Sequence, residues 1–131
     1  PVTSKPNPMA SGPHAAPATV LLADDNGVLR ESFAYWLTQR TDWTVREAAD
    51  GREAVASLDA AVDVVVLDRD MPKLTGDEVV DRLHETTFSG AVVVLSASRP
   101  DGELNEDCVD EYLLKPVKCE SLAAVLSTHL R

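Results

Sequence analysis

The chain has few cysteines, few lysines and no long apolar run, and each shortage excludes something. Its two cysteines, Cys108 and Cys119, form no CxxC pair and have no histidine cluster beside them. That sets aside a thiolate metal site and a structural disulfide, and leaves reduced thiols of a cytosolic protein as the simple reading. No stretch approaches the roughly 20 apolar residues of a membrane-spanning helix, and no signal peptide is visible. Lysine occurs only at Lys5, Lys73, Lys115 and Lys118, and all basic residues together number 12 against 22 acidic ones. The resulting formal charge of −10 repels phosphate backbones and anionic headgroups, so neither nucleic acid nor membrane is expected as a direct partner. A cytoplasmic location follows as an expectation.

What is present fits one domain, because 131 residues lie within the usual size of about 100–150. Residues 1–18 carry five prolines, little charge and no apolar periodicity. They read as a disordered arm, a linker or an appended remnant preceding a folded domain at 19–131. From Thr19 onward, short apolar runs alternate with amphipathic stretches. The strongest runs are Thr19–Ala23, Asp63–Leu67 and Ala91–Leu95. They are rich in β-branched residues and continuously apolar, as strands buried on both faces of a parallel sheet must be. Weaker strands are expected around Trp43–Ala48 and Tyr112–Leu114. Helical spacing places Leu29, Phe33, Trp36, Leu37 and Arg40 on a first helix, with Asp25 or Asn26 as its cap. Further helices are expected at Gly51–Leu58, at Asp77–His84, and around Leu122, Val125, Leu126 and Leu130. Gly76 is expected to make a turn needing positive φ, and Gly51 to open a helix after Asp50. Repeated strand–helix alternation is an α/β pattern with right-handed crossovers.

The chemistry lies in how the apolar runs end. The first ends in Asp24 and Asp25, the third in Asp68, the fourth in Ser96 and the fifth in Lys115-Pro116. In an open parallel sheet the carboxyl ends of the strands share one edge, where such folds bind ligands. Any one of these residues is readily explained as a helix cap or turn former. Three carboxylates, a hydroxyl and an ammonium on one rim are harder to explain so. Clustered carboxylates repel one another unless a cation is present. An oxygen-only donor set beside a phosphate suits Mg²⁺, and a lysine with a hydroxyl suits the phosphoryl oxygens. Asp68 is then a covalent nucleophile carrying an acyl phosphate.

The segments LLADDN, AADGREAV, VVVLDRDMPKLTGDEVV, VLSAS and YLLKP, in that order, resemble the receiver domains of two-component response regulators from about Thr19 to Leu130. The resemblance implies a flavodoxin-like, doubly wound sheet of five parallel strands in the order 2-1-3-4-5, with helices on both faces. It implies that Asp24 and Asp25 bind Mg²⁺ (or Mn²⁺ in its place), that Asp68 is the phosphoacceptor and also a metal ligand, and that Asp70 lends its backbone carbonyl. It further implies that Ser96, Ala97 and Lys115 contact the phosphoryl group, that Lys115-Pro116 is cis, and that Ser96 and Tyr112 form the switch. That switch would reshape the face made by the fourth helix, fifth strand and fifth helix. The implied donor is a histidine kinase or phosphotransfer protein, or a small donor such as acetyl phosphate. An effector domain or downstream protein is the implied target, and a homodimer is left open. Such a domain catalyses its own phosphorylation and dephosphorylation but is a switch, not an enzyme of metabolic turnover.

Two departures stand out. The segment between Ser96 and Lys115 is shorter than the family's usual spacing, contains Pro100 and Gly102, and lacks periodicity. A truncated, displaced or unwound fourth helix is therefore expected. With LDRDMPKLTGDEV, this segment looks most like haloarchaeal receivers that precede a HalX-type domain. The second departure is Asp70, whose carboxylate beside the acceptor is expected to tune the lifetime of the acyl phosphate; as a plain solvated loop acid it would not. His14, His84 and His129 have no implied role. Two other functions compete. The Asp-x-Asp of LDRDM superficially resembles the nucleophile motif of haloacid-dehalogenase-type phosphatases, but here the acid pair comes first and no cap insertion exists. A degenerate receiver serving only as a binding module would be expected to lack some of Asp24, Asp25, Asp68, Ser96 and Lys115.

Overall fold

The computed structural model describes residues 17–130. The expected arm, but for Pro17 and Ala18, lies outside the described residues, as do His14 and Arg131. Five strands form one parallel sheet: β1 (Thr19–Ala23), β2 (Thr44–Ala48), β3 (Val64–Asp68), β4 (Ala91–Ser96) and β5 (Glu111–Leu114). Their order is β2-β1-β3-β4-β5, as expected. The helices are α1 (Gly27–Arg40), α2 (Gly51–Ser57), α3 (Gly76–Asp81) and α4 (Cys119–His129), with single 3₁₀ turns at Leu83–Glu85 and Glu106–Cys108. The sheet's hydrogen bonding reaches back to Ala18, whose carbonyl accepts from Thr44 N–H at 2.8 Å. No helix of the described residues is long and apolar enough to cross a membrane.

The continuous apolar runs are explained by a core on each face of the sheet. In β3, Val65 and Leu67 join one cluster with Val79, Val80 and Leu58 of the α2–α3 side. Val64 and Val66 join the other with Phe33, Leu37, Leu122 and Leu126 of α1 and α4. Side chains alternate across a strand, so a strand covered twice can spare no polar position until it ends. Full burial of a Leu or Val contributes about 1.5–3 kcal/mol, and these strands and helices therefore set the position of everything at the sheet's carboxyl edge. Of the two candidate caps for α1 it is Asn26 that serves, its Oδ1 accepting from Leu29 N–H at 3.1 Å. Thr75 and Glu78 form a reciprocal capping box that starts α3.

Two local expectations need correction. Gly51 opens α2 behind its cap Asp50, as expected, but Gly76 does not have positive φ; among the described residues Gly102 and Lys73 do, Lys73 at 70°. The two glycines are needed for close approach. A Cβ on Gly51 would lie 2.0 Å from the Leu74 carbonyl oxygen, and one on Gly76 2.8 Å from the Asp68 carbonyl oxygen. The loop after β3 thus folds directly onto α2 and back onto the strand end.

The expected weakening of the fourth helix is observed, and the second correction concerns the face it was to help form. Residues 97–110 hold one 3₁₀ turn and no α-helix, so the last helix is the fourth. The face expected from a fourth helix, fifth strand and fifth helix consists instead of this segment, β5 and α4. Leu104 does the packing that a helix would have done: it is 4% exposed and sits in the core of the α2–α3 side, and Val109 packs against the same cluster.

Candidate functional site

Four strand ends build the site. After β1 the chain turns at Asp24, whose Oδ1 accepts from Asn26 N–H at 2.8 Å in an Asx-type turn. Arg30, one turn into α1, donates from Nη1 to the Asp24 carbonyl oxygen at 2.7 Å and from Nε to Glu47 at 3.0 Å. The acid pair is thereby tied to α1 and β2. Asp68 ends β3 and is buried, with 4% exposure. Ser96 ends β4 and is fully buried. Lys115 follows β5, and its N–H donates to the Ser96 carbonyl oxygen at 2.8 Å, which aligns the two strand ends. The Lys115-Pro116 bond is cis, as expected.

Carboxylate oxygens of Asp24, Asp25 and Asp68 all lie within 4.8 Å of one another. The Lys115 ammonium donates to Asp68 Oδ1 at 3.1 Å and stands 3.8 Å from Asp24 Oδ2. Three negative charges thus face one positive charge. Burial, then the Asp24 charge, push the Asp68 carboxyl up from 3.8 to about 6, against the opposing pull of Lys115 and of the Asp70 N–H. Asp24 Oδ2 is buried without a hydrogen-bond partner. An orphaned, buried carboxylate oxygen in an excess of negative charge fits a small, hard cation, and the donors are all oxygen.

The remaining expected residues are placed differently. Asp70 is exposed and reaches Asp68 through its backbone, N–H to Oδ1 at 3.2 Å. Ala97 is exposed just past Ser96. Ser96 Oγ accepts from Ser98 N–H at 3.1 Å. Tyr112 is half-buried, and its hydroxyl donates to the Ser98 carbonyl oxygen at 2.7 Å while accepting from Arg69 Nη1 at 3.0 Å. His84 is exposed and His129 pairs with Glu111 at 3.1 Å, both away from the site.

Two arginines were not singled out in the sequence. Arg30 reads as a helix-surface residue and Arg69 as part of a polar loop. The one available signal was the position of Arg69 directly after a buried strand, where a charge needs partners. It finds them in Asp77, at 2.8 and 3.0 Å, and Asp101, at 2.6 Å.

Comparison with known proteins agrees with this geometry. Residues 20–127 match the family model described as the response regulator receiver domain. A Haloferax volcanii protein is 41% identical over 103 residues, covering 79% of this chain and 18% of the relative. The nitrate/nitrite response regulator protein NarL of Escherichia coli K12 is 37% identical over 121 residues, covering 84% of this chain and 53% of the relative. The chain therefore spans about half or less of these relatives' lengths. Among solved structures, the Vibrio cholerae chemotaxis protein CheY4 superposes with a TM-score of 0.76 at 30% identity, covering 88% of this chain and all of that one. The Francisella response regulator 1452 receiver domain gives 0.74 at 26% identity, covering 85% and 94%.

Proposed function

This chain belongs to the response regulator receiver domain family, and from that premise we propose that it accepts a phosphoryl group on Asp68 within a two-component signalling system. The observation that carries the reading is Asp68 itself. It is a buried carboxylate at a strand end, held 3.1 Å from the Lys115 ammonium and close to Asp24 and Asp25. An oxygen of ionised Asp68 forms a bond to phosphorus as the bond from phosphorus to the donor breaks. The donor, a histidine kinase, a phosphotransfer protein or a small acyl phosphate, leaves with that electron pair. Lys115 supplies a point charge to one phosphoryl oxygen, and the Ser96 hydroxyl with the backbone after it, at Ala97, supplies hydrogen bonds to others.

Asp24, Asp25, Asp68 and the Asp70 carbonyl would hold Mg²⁺, or Mn²⁺ in its place. The bound ion would supply charge neutralisation among the carboxylates and on the phosphoryl group. Asp24 Oδ2, which has no hydrogen-bond partner, is the atom best explained by it. The reading is of a signalling switch, in which phosphate alters the face made by residues 97–110, β5 and α4. Downstream partners, an effector domain among them, would read that face.

Intact-mass measurement with Mg²⁺ and acetyl phosphate tests this. One phosphoryl adduct is expected on the parent chain and none on Asp68→Asn. An unmodified parent, with both the small donor and a histidine kinase, would point to a binding module instead.

Asp70 is proposed to set the lifetime of that adduct. Asp70 is exposed two residues after Asp68, and its N–H donates to Asp68 Oδ1 at 3.2 Å; near the acceptor its charge would repel hydroxide or orient water. Asp70→Asn is expected to change the dephosphorylation rate several-fold without altering the folded stability. Equal half-lives of the two adducts would leave Asp70 as an ordinary solvated acid.

A further inference from the structure

Arg69 directly follows Asp68, and its backbone is pinned on both sides. Its N–H donates to the Leu95 carbonyl oxygen at 2.9 Å, and its carbonyl oxygen accepts from Gly76 N–H at 2.8 Å. The side chain is buried, which for a charge is costly unless every donor is matched. Here Nε and Nη2 fork onto the two Asp77 oxygens, Nη2 also reaches Asp101, and Nη1 reaches the Tyr112 hydroxyl. The partners come from the first turn of α3, from the 97–110 segment and from β5. The guanidinium also holds the Asp101 carboxyl below its usual range.

This pairing is the ion pair that ties residues 97–103 to the strand end at Asp68. Arg99, Pro100, Asp101 and Gly102 are exposed, and Gly102 has open space about it. Ser98 is held at its N–H by Ser96 Oγ and at its carbonyl by the Tyr112 hydroxyl. A continuous hydrogen-bonded path therefore runs from Ser96 through Ser98, Tyr112 and Arg69 to Asp101. The cleft of about 460 Å³ beside it is lined by Asp70, Asp77, Glu78, Asp81, Asp101 and Glu103, with Arg69 the one cation in its lining. If Arg69 disengaged, the acids would be left to repel one another across the cleft.

We propose that Arg69 is a positioning residue that latches the 97–103 stretch and Tyr112 in the resting arrangement, and that its release carries a change at Asp68 to the surface. In place of a fourth helix, the chain has a segment anchored by Leu104 in the core, whose exposed first half is tied through Asp101 to one buried guanidinium. A turn of the Ser96 hydroxyl towards a phosphoryl group frees Ser98 N–H, loosens the Tyr112 hydroxyl and removes one of the Arg69 partners. The coupling rests on Asp68 being the acceptor; the latch does not.

Amide hydrogen exchange on the full chain tests both, with Asp101→Asn as the main variant because that side chain is half-exposed and outside the core. Arg69→Gln is the second variant. Before any donor is added, exchange over 97–103 is expected to rise several-fold in each variant while β1 and β3 stay protected. Adding Mg²⁺ and acetyl phosphate to the parent is expected to produce the same rise, with little further change in Asp101→Asn. The phosphorylated fraction of Asp101→Asn at equilibrium with a limiting donor is expected to exceed that of the parent, because weakening the resting state favours the phosphorylated one by linkage. A residue that merely supported the fold would not raise it. Unchanged exchange over 97–103 in unphosphorylated Asp101→Asn overturns the latch. An adduct on the parent without altered exchange there overturns the coupling. Absence of the adduct with acetyl phosphate and with a histidine kinase alike overturns the acceptor reading and the coupling with it, while the comparison of unphosphorylated proteins still decides the latch.

Discussion

Replacing Asp68 by Asn is expected to stabilise the metal-free chain by about 2–3 kcal/mol above pH 6 and to leave it little changed below pH 4. In the folded chain the Asp68 carboxyl is pushed up to about 6, whereas in the unfolded chain it stays near the ordinary 3.8. Between those values the folded state holds more protons than the unfolded state. Stability of the parent therefore falls as pH rises through this window and levels off above it. The physical cost is that of ionising a carboxyl that is buried and faces Asp24. Asn keeps the shape and still accepts from the Asp70 N–H, but carries no charge to desolvate. Urea unfolding of both proteins in chelator, at pH 7.5 and at pH 3.5 and at one salt concentration, checks the sign. Equal midpoints at the higher pH would mean that Asp68 is not strained by its surroundings. Adding Mg²⁺ at pH 7.5 is expected to narrow the gap, since an ion that binds the folded parent stabilises it by mass action. The same substitution removes the proposed acceptor, so a protein can gain stability as it loses function, as happens where an active site concentrates like charges.

Leu104→Ala is expected to cost about 2–4 kcal/mol. The side chain is almost fully buried on the α2–α3 side of the sheet, in a segment without an α-helix of its own to hold it. Deleting it leaves a cavity where the connection between β4 and β5 covers the core, and little else in that segment is buried to compensate. Val109, only half-buried, is expected to cost less when cut to Ala. Denaturant midpoints for the two variants check the order. A loss below about 0.5 kcal/mol for Leu104→Ala, the range of ordinary surface changes, would mean that the segment does not seal the core. The stability effect should be separable from the latch: Leu104→Ala lowers global stability, while Asp101→Asn opens residues 97–103 alone.

How much of this was legible beforehand depends on whether the determining contact is local. The strands were legible because burial on both faces leaves no room for polar residues, and that constraint is written as unbroken runs such as VVVL and AVVVL. The site was legible because a parallel sheet brings the carboxyl ends of its strands together, so the polar residues closing those runs meet whatever their separation in the chain. Asp24, Asp25, Asp68 and Lys115 converge for that reason. The weak fourth helix was legible too, as missing periodicity around Pro100 and Gly102.

Other features depend on distances that no spacing encodes. Gly51 reads as a helix opener and Gly76 as a turn glycine, yet the need of each is for close backbone approach, to Leu74 in one case and to Asp68 in the other. Leu104 is a lone apolar residue among acids, and its burial follows from where the segment crosses the sheet. Arg69 lies 32 residues from Asp101 and 43 from Tyr112, with nothing in between to announce a pairing. The sequence by itself determined the sheet, the polar residues at its carboxyl edge and the acid cluster around Asp68, because periodicity and strand ends are local properties that the parallel topology sums. Only the tertiary structure decided what holds the 97–110 segment, because a buried charge and a single packed leucine take their partners from wherever the folded chain brings them.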